Sequence, residues 1–335
     1  MKYDMKNWIK ELPKTPKALP ILSFPAVSLI GVSVKELIGS AELQAKAMKT
    51  VADRVDSLAS VSLMDLSVEA ECFGSTVKFS DDEVPTVTGA IVTDEDEANA
   101  LVVPSVGSAR SGIYVEAIRL ACRQITDRPV LAGMIGPFSL GARLMDVSEI
   151  MMQCYDEPEV VHIVLEKATQ FLIEYAKAYK QAGANGIMMA EPVSGLLSPA
   201  LEEEFSSPYV KEIIDAVQDD SFGLIYHNCG DNTPLMVESF KSFGAAAYHF
   251  GNSIDLEAMI KKFPEDTVIM GNVDPAGVLR MADADTVRSV TLELLDKCSK
   301  YPNFVLSSGC DMPPMTPWEN IDAFIKAAED SKKGN

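Results

Sequence analysis

The chain has 335 residues, and 29 basic side chains against 49 acidic ones give it a formal net charge of −20 at pH 7. A charge of this sign and size argues against nucleic acid or an anionic membrane as the main partner. The longest uncharged run, residues 18–34, is short for a bilayer span and is interrupted by Pro20, Pro25 and Gly31. Six scattered cysteines without a CxxC pair indicate reduced thiols. We therefore predict a cytoplasmic protein.

The N-terminal part predicts two strands with a helix between them. The uncharged run indicates an early core strand and its loop, with the strand near Ala26–Ile30, and a second strand is predicted near Ser60–Leu66. A helical pattern covers Ala41–Ser57. The segment from Phe73 to about Arg110 is acidic, contains prolines and has weak periodicity. We expect it to be a long excursion that forms part of a lid.

From about residue 125 onward, short apolar runs alternate with longer amphipathic segments, as is typical of repeated βα units. The predicted strands are residues 129–136, 186–191, 222–227, 245–250, 267–273 and 303–308, and helical patterns include 158–182 and 284–300. With the two N-terminal strands, the count predicts a (β/α)8 TIM barrel, an α/β fold, as a single domain over residues 1–335. The excursion then lies between strands 2 and 3. An open doubly wound sheet is the alternative, but no GxGxxG or GxxxxGK(S/T) motif follows a strand.

Two of the predicted strand ends carry side chains that commonly bind metal ions. His227 and Cys229 end the run FGLIYHNCG, and Cys310 ends NFVLSSGC. In a TIM barrel the carboxyl ends of the strands meet at one rim, so these side chains are expected to converge. One imidazole and two thiolates suit Zn²⁺, and a three-ligand site leaves one position free. The alternative is that His227 bonds a backbone carbonyl while the two cysteines fill space.

The stretch SSGCDMPPMTPWENIDAF, residues 307–324, resembles the final strand and helix of the uroporphyrinogen decarboxylase superfamily. The pattern GC…PMTPxEN is most similar to that of the methylcobamide:coenzyme M methyltransferases in this superfamily. EPVSGLLSP at 191–199, YHNCG at 226–230 and MGNVDP at 270–275 fit the same branch in the same order. The resemblance implies that His227, Cys229 and Cys310 are zinc ligands.

The resemblance also implies a reaction and a partner. The implied activity is transfer of a methyl group from a methylated corrinoid protein to a small thiol, with coenzyme M as the expected acceptor. The chain has no DxHxxG motif, by which corrinoid carriers ligate cobalt, so the corrinoid is expected to come from a partner protein. A free thiol is only about 3% ionised at pH 7, whereas a metal-bound thiol is deprotonated, so zinc would raise the thiolate fraction roughly thirtyfold.

Five further residues are predicted to support the site. Glu191 ends a strand and is a candidate catalytic group or zinc neighbour, or alternatively a helix-capping carboxylate, and His249 is a candidate for orienting substrate or a hydrogen-bonded core histidine. Asp65 occupies the neighbourhood where the decarboxylases hold their pyrrole-binding aspartate, or it caps the next segment. Asn272 and Asp274 are candidate cofactor-binding residues that alternatively shape a turn.

Three other functions remain open on the sequence. Uroporphyrinogen decarboxylation needs cationic side chains near the N-terminus, but this chain has no arginine before Arg54. The same methyl transfer with another thiol or tetrahydrofolate as acceptor is a second alternative. A structural zinc site or a binding protein without enzymatic activity is the third, and such a site would have four protein ligands.

Overall fold

The structure is a computed structural model that describes residues 3–331. The described strands, in chain order, are β1 (Ser60–Val61), β2 (Thr76–Lys78), β3 (Thr86–Thr88), β4 (Val130–Ile135), β5 (Gly186–Ala190), β6 (Gly223–Asn228), β7 (Ala247–Phe250), β8 (Ile269–Val273) and β9 (Phe304–Ser308). All except β2 and β3 form one parallel sheet, in the order in which they occur along the chain. The sheet curls into a TIM-type barrel, which confirms the predicted fold class.

The helices alternate with these strands and cover the outside of the sheet. In chain order they are α1 (Met5–Glu11), α2 (Ala26–Ile30), α3 (Val34–Ile38), α4 (Ala41–Arg54), α5 (Val68–Cys72), α6 (Glu95–Ala100), α7 (Ser111–Gln124), α8 (Pro137–Met145), α9 (Val147–Asp156), α10 (Pro158–Ala182), α11 (Pro199–Phe205), α12 (Ser207–Val217), α13 (Val237–Phe243), α14 (Leu256–Ile260), α15 (Ala284–Cys298) and α16 (Trp318–Asp330). Short 3₁₀ turns lie at Leu12–Lys14, Ser194–Leu196 and Thr233–Leu235, and a π-helix at Pro275–Arg280. No helix among residues 3–331 is long and apolar enough to span a membrane.

The predicted strand at Ala26–Ile30 is wrong, because these residues form α2. Pro25 precedes the helix with helical backbone angles, and Gly31 ends it in the left-handed region at φ 69°. The barrel is closed instead by the preceding residues 18–23. The backbone N–H of Leu19 donates to Leu306 of β9 at 2.9 Å, and that of Leu58, just before β1, donates to Ala18 at 3.0 Å. The closing segment therefore lies between the last and first strands of the sheet.

The other predicted elements occur close to their expected bounds. The six strands from residue 129 onward correspond to β4 to β9, whereas β1 covers two residues of the predicted seven. The predicted helix at 158–182 has the observed bounds of α10, which begins at a proline and ends before Gly183 at φ 110°. The helices predicted at 41–57 and 284–300 end three and two residues early, as α4 and α15.

The barrel interior is apolar and is closed at one end. Successive strands contribute one inward layer, which comprises Leu131, Met188, Ile225, Ala247, Met270 and Val305. Met5, Ile9 and Leu12 pack onto the same cluster from α1 and the turn that follows it, and the N–H of Met5 donates to Asp220, in the turn before β6. Helix α1 thus covers the amino-terminal end of the barrel and leaves the carboxyl ends of the strands as the mouth.

The excursion at 73–110 contains the β2–β3 hairpin and α6. As predicted, it follows the second strand of the barrel, when the closing segment 18–23 is counted as the first strand and β1 as the second. Arg110 anchors its end, since its guanidinium bonds Asp65 and Glu71 and lies 5.0 Å from the ring centre of Phe79. The loop residues Val84 and Pro85 lie over residues that follow β1. The excursion therefore covers part of the barrel mouth.

Candidate metal centre and active site

His227, Cys229 and Cys310 converge at the barrel mouth. His227 lies in β6, Cys229 follows that strand, and Cys310 lies two residues beyond β9. Their nitrogen and sulfur atoms all lie within 4.8 Å of one another. Ligands about 2.3 Å from one zinc ion in a tetrahedron lie about 3.8 Å apart, so a shared ion needs shifts of about 1 Å or less. The spacing is close to that of a three-ligand metal site.

Glycines allow the backbone segments that carry the cysteines to approach their neighbours. A Cβ at Gly251 would lie 2.3 Å from the Cβ of Cys229, and one at Gly309 would lie 2.8 Å from the backbone nitrogen of Asn252. Gly230 packs in the same way against Gly195, where an added Cβ would lie 2.5 Å from backbone carbon. These positions require glycine because of close approach, since none of the three has a positive φ.

One ring nitrogen of His227 is available as a ligand. The side chain is buried, and its Nε2 has no hydrogen-bond partner within residues 3–331. A buried nitrogen that is left unpaired costs free energy, so it normally has a partner in the functional state. An unpaired imidazole nitrogen beside two thiols fits a zinc ion in its donor types and in its position.

A chain of hydrogen bonds fixes which nitrogen of His227 carries the proton. The hydroxyl of Ser307 donates to the carbonyl of Leu19 at 2.7 Å, so its oxygen accepts from Nε2–H of His249 at 2.8 Å. Burial lowers the pKa of His249 well below its ordinary value, and the neutral ring leaves its Nδ1 as an acceptor. That nitrogen accepts from Nδ1–H of His227 at 2.8 Å. The lone pair of His227 therefore lies on Nε2, and we call this chain the histidine relay.

The two cysteines are coupled. A hydrogen bond from Cys310 lowers the pKa of Cys229, and the same bond, together with burial, raises the pKa of Cys310 to about 12. Cys229 is thus the more easily ionised member of the pair. Both cysteines would be deprotonated on binding a dication, since metal-bound cysteine is a thiolate.

Glu191 lies beside this group, but its carboxylate is turned toward α8. Its oxygens accept from the backbone N–H groups of Phe138 at 3.1 Å and Ser139 at 2.6 Å, at the amino terminus of that helix. The side chain is completely buried, and burial raises its pKa to about 8. A Cβ at Gly136 would lie 2.1 Å from its Oε2, so glycine makes room for it. Glu191 therefore makes the contacts expected of a helix-capping carboxylate, which is the alternative given for it in the sequence analysis.

Asp65 is bonded to protein groups. It accepts from Ser67, from Tyr114 at 2.6 Å and from Arg110. The carboxylate is buried at the mouth, where it holds Arg110 in place.

Asn272 and Asp274 also bond nearby backbone. Asn272 donates to the carbonyls of Gly251 and Ile254, both at 2.8 Å, and so holds the loop that packs against Cys229. Asp274 accepts from the N–H groups of Ala276 and Gly277 and caps the π-helix. Both sets of bonds match the predicted turn-shaping alternative.

Sequence reasoning missed three residues at the mouth. Ser307 sets the direction of the histidine relay, because its hydroxyl oxygen accepts from His249. It lies in the SSGC stretch quoted above, but a serine at that place does not by itself indicate this role. Asp311 follows Cys310, and burial raises the pKa of its carboxyl group, one oxygen of which has no partner among the described residues. Arg143 on α8, whose buried Nε has no hydrogen-bond partner among the described residues, was also missed. Its neighbours come from distant parts of the chain, so no local pattern marks it.

Comparison with known proteins identifies the family. The family model described as uroporphyrinogen decarboxylase (URO-D) matches residues 16–331. The chain belongs to this family. A methylcobamide:CoM methyltransferase, MtbA of Methanosarcina acetivorans, is 28% identical over 272 residues, which cover 80% of this chain and 78% of that protein. A uroporphyrinogen decarboxylase of Coxiella burnetii is 27% identical over 259 residues, which cover 73% and 70%.

The fold comparison agrees with this assignment. The solved structure of a methyltransferase from Methanosarcina mazei superposes with a TM-score of 0.86 at 23% identity and covers 98% of each chain. Because this URO-D family chain is about equally identical to two relatives with different named activities, identity alone does not distinguish between them. The distinction has to come from the residues at the mouth.

Proposed function

We propose that this URO-D family enzyme is a zinc-dependent methyltransferase that moves a methyl group from a methylated corrinoid protein to a small thiol, with coenzyme M as the proposed acceptor. The observation that carries the proposal is the unpaired Nε2 of buried His227 beside Cys229 and Cys310 at the barrel mouth. The methylcobamide:CoM methyltransferase among the relatives supports the same reaction. We take residues 1–335 as one domain that acts in the cytoplasm, where free thiols stay reduced.

The mouth residues supply the electrostatics that such a reaction needs. His227 contributes a neutral nitrogen, and Cys229 and Cys310 contribute two negative charges as thiolates. A bound Zn²⁺ would act as the Lewis acid that keeps the acceptor thiol ionised near neutral pH. The paired charges of the cysteines offset the dication, so the acceptor sulfur keeps electron density and remains nucleophilic. The walls of the mouth would restrict the direction of that sulfur, which would favour in-line attack.

The overall reaction breaks a carbon–cobalt bond and forms a carbon–sulfur bond. The bonding electrons stay on cobalt, and the thiol releases its proton. The corrinoid comes from a partner, which would place its methyl face over the mouth, and the rim loops together with the acidic excursion form the contact surface. His249 acts by orienting His227 through the histidine relay. For Glu191, Asp65, Asn272 and Asp274 we propose supporting roles in shaping the mouth through the bonds described above.

The decarboxylase reaction is disfavoured because its substrate carries eight carboxylates, which require cationic side chains near the N-terminus of the chain. The first arginine of the chain is Arg54, which is bonded to Asp322 at the surface. A structural zinc site is disfavoured because the group at the mouth has three candidate ligands among the described residues. Another thiol or tetrahydrofolate as acceptor remains an outcome of the test below.

The test combines metal analysis with methyl transfer from free methylcobalamin. We expect about one zinc per wild-type chain and thiol-dependent demethylation, with 2-mercaptoethanesulfonate preferred over other thiols and over tetrahydrofolate. Cys310→Ser should lose both properties, since removal of a ligand weakens binding by more than the roughly 10- to 100-fold effect of losing an outer partner. Cys122→Ser, on α7 away from the mouth, is the matched control. Full zinc retention and unchanged turnover in Cys310→Ser would refute the mechanism.

A further inference from the structure

Asn228 lies between the two candidate ligands at the end of β6, but its side chain points to the opposite face of the sheet. Successive residues of a strand alternate between the two faces. His227 faces the mouth, whereas Asn228 shares the outer face with Tyr226, whose ring packs against α13. The asparagine is completely buried. It can therefore act on the backbone that carries Cys229 without occupying the mouth.

The side-chain oxygen of Asn228 closes a turn around Cys229. It accepts from the backbone N–H of Gly230 at 3.0 Å and from the hydroxyl of Thr233 at 2.7 Å. A backbone N–H can only donate, so the atom that it meets must be the oxygen of the carboxamide. The first bond spans Cys229 directly, and the second fixes the far end of the segment. We call residues 228–233 the cysteine turn.

The side-chain nitrogen of Asn228 is bonded to the end of the neighbouring strand. It donates to the carbonyl of Glu191 at 2.9 Å, and it lies 3.0 Å from the hydroxyl oxygens of Ser194 and Tyr226. The carbonyl can only accept, which confirms the orientation of the amide. The side chain thus joins the cysteine turn to the end of β5. Neither an ionised carboxylate nor a hydrocarbon of the same size offers a donor and an acceptor in these two directions.

The cysteine turn also packs backbone to backbone against the Ser194–Leu196 turn. A Cβ at Gly195 would lie 2.3 Å from Oδ1 of Asn228 and 2.6 Å from the Cα of Gly230. The N–H of Asn232 donates to the carbonyl of Gly195 at 3.0 Å. The carboxamide fills the gap between the two turns. Its removal would leave the buried N–H of Gly230 without its acceptor, which costs free energy.

We propose that Asn228 is the positioning residue for Cys229, because it holds the cysteine turn in the shape that directs this thiol toward His227 and Cys310. Outer partners that orient a metal ligand contribute to metal affinity although they do not touch the ion. Asn228 would have this role for the thiol, as the histidine relay has it for the imidazole. The inference deepens the proposed function and rests on it for the identity of the bound ion as zinc.

The first experiment measures the hold on the cysteine turn in the metal-free protein. Hydrogen exchange of residues 229–236 is followed by mass spectrometry in the wild type, Asn228→Ala and Asn303→Ala. Asn303 is the matched control, because it is also buried and donates to two backbone carbonyls, but it lies just before β9, at the amino-terminal end of the barrel. We expect exchange in 229–236 to become about 10- to 100-fold faster in Asn228→Ala and to stay unchanged in Asn303→Ala. Equal exchange in the wild type and Asn228→Ala would overturn the proposal.

The second experiment measures metal binding without methyl transfer. Zinc affinity is measured by competition with a chelator, and the thiolate-to-cobalt charge-transfer absorption of the cobalt-substituted protein reports ligation by sulfur. We expect Asn228→Ala to bind zinc about 10- to 100-fold more weakly and to show a weaker charge-transfer band, and Asn303→Ala to match the wild type. Thr233→Val removes one donor to the amide oxygen and should weaken zinc binding about 3- to 10-fold, whereas Thr233→Ser keeps the hydroxyl and should stay within about twofold.

Urea unfolding shows whether each variant is folded, and the two Thr233 variants decide the matter if Asn228→Ala is not. Wild-type zinc affinity in a folded Asn228→Ala contradicts the assignment, as does an equal loss in Asn303→Ala, which would indicate general destabilisation. Equal losses in Thr233→Val and Thr233→Ser also contradict it. If the wild type binds no zinc but residues 229–236 exchange faster in Asn228→Ala alone, the proposed function fails while the hold on the cysteine turn stands.

Discussion

Replacement of His249 tests the histidine relay directly. Phenylalanine at this position keeps an aromatic ring but removes both nitrogens, so the Nδ1–H of His227 loses its acceptor. His227 is 1% exposed and His249 is fully buried, so water cannot readily substitute. Asparagine is the matched variant, because its Oδ1 stands near the position of the histidine Nδ1 and can still accept from His227.

Two independent estimates give the size of the effect. Loss of an outer partner of a metal-bound histidine typically weakens metal affinity by about 10- to 100-fold, which is about 1.4–2.7 kcal/mol. A buried donor left without an acceptor costs about 1–3 kcal/mol, in the same range. We therefore expect His249→Phe to bind zinc about 10- to 100-fold more weakly than the wild type, and His249→Asn to stay within about threefold.

The assay is competition for zinc between the metal-free protein and a chromophoric chelator at fixed pH. Cobalt substitution adds an absorption spectrum that reports the ligand set, and urea unfolding shows whether each variant is folded. A folded His249→Phe that binds zinc as tightly as the wild type would refute the reasoning. Equal losses of zinc affinity in His249→Phe and His249→Asn would show that removal of the acceptor at Nδ1 is not the cause of the weaker binding.

Three further predictions concern stability in urea. Burial raises the pKa of Glu191 from 4.5 to about 8. The stability that this carboxyl group contributes is therefore fully present below the pKa of the unfolded chain and is lost as the pH rises toward 8. The unfolding free energy of the wild type should fall more between pH 5 and 8 than that of Glu191→Gln. Gly186→Ala would place a Cβ 2.3 Å from the carbonyl of Gly223 on the next strand, and we expect a loss of about 1–3 kcal/mol in unfolding free energy. Asp65→Ala leaves Arg110 with Glu71 as its remaining carboxylate and Tyr114 without its acceptor, and a loss of about 1–3 kcal/mol should follow.

The sequence predicted the barrel and the convergence of three side chains because both depend on local signals. Apolar runs separated by amphipathic segments determine the strand and helix alternation, and the carboxyl ends of parallel strands lie at one rim. His227, Cys229 and Cys310 each mark such an end. The strand at 26–30 was wrong because the flanking Pro25 and Gly31 favour a short helix, which the apolar composition alone does not reveal.

The remaining features depend on distances that a single sequence does not contain. The pairing of His227 with His249 requires the register of β6 against β7, in which these two residues are direct partners. The isolation of Arg143 depends on which side chains are absent around it, which only the folded chain defines. Both are products of tertiary packing rather than of local pattern.

The position of residues 18–23 has a consequence for how the protein matures. The relay that orients His227 ends on the carbonyl of Leu19, and it passes through Ser307, 288 positions later in the chain. A partly synthesised chain does not yet contain Ser307, and a partly folded chain has not yet brought Ser307 to Leu19. Contacts between residues so far apart in the sequence form late. The imidazole would be aimed correctly only once the two ends of the chain have met, so metal capture and completion of folding would coincide.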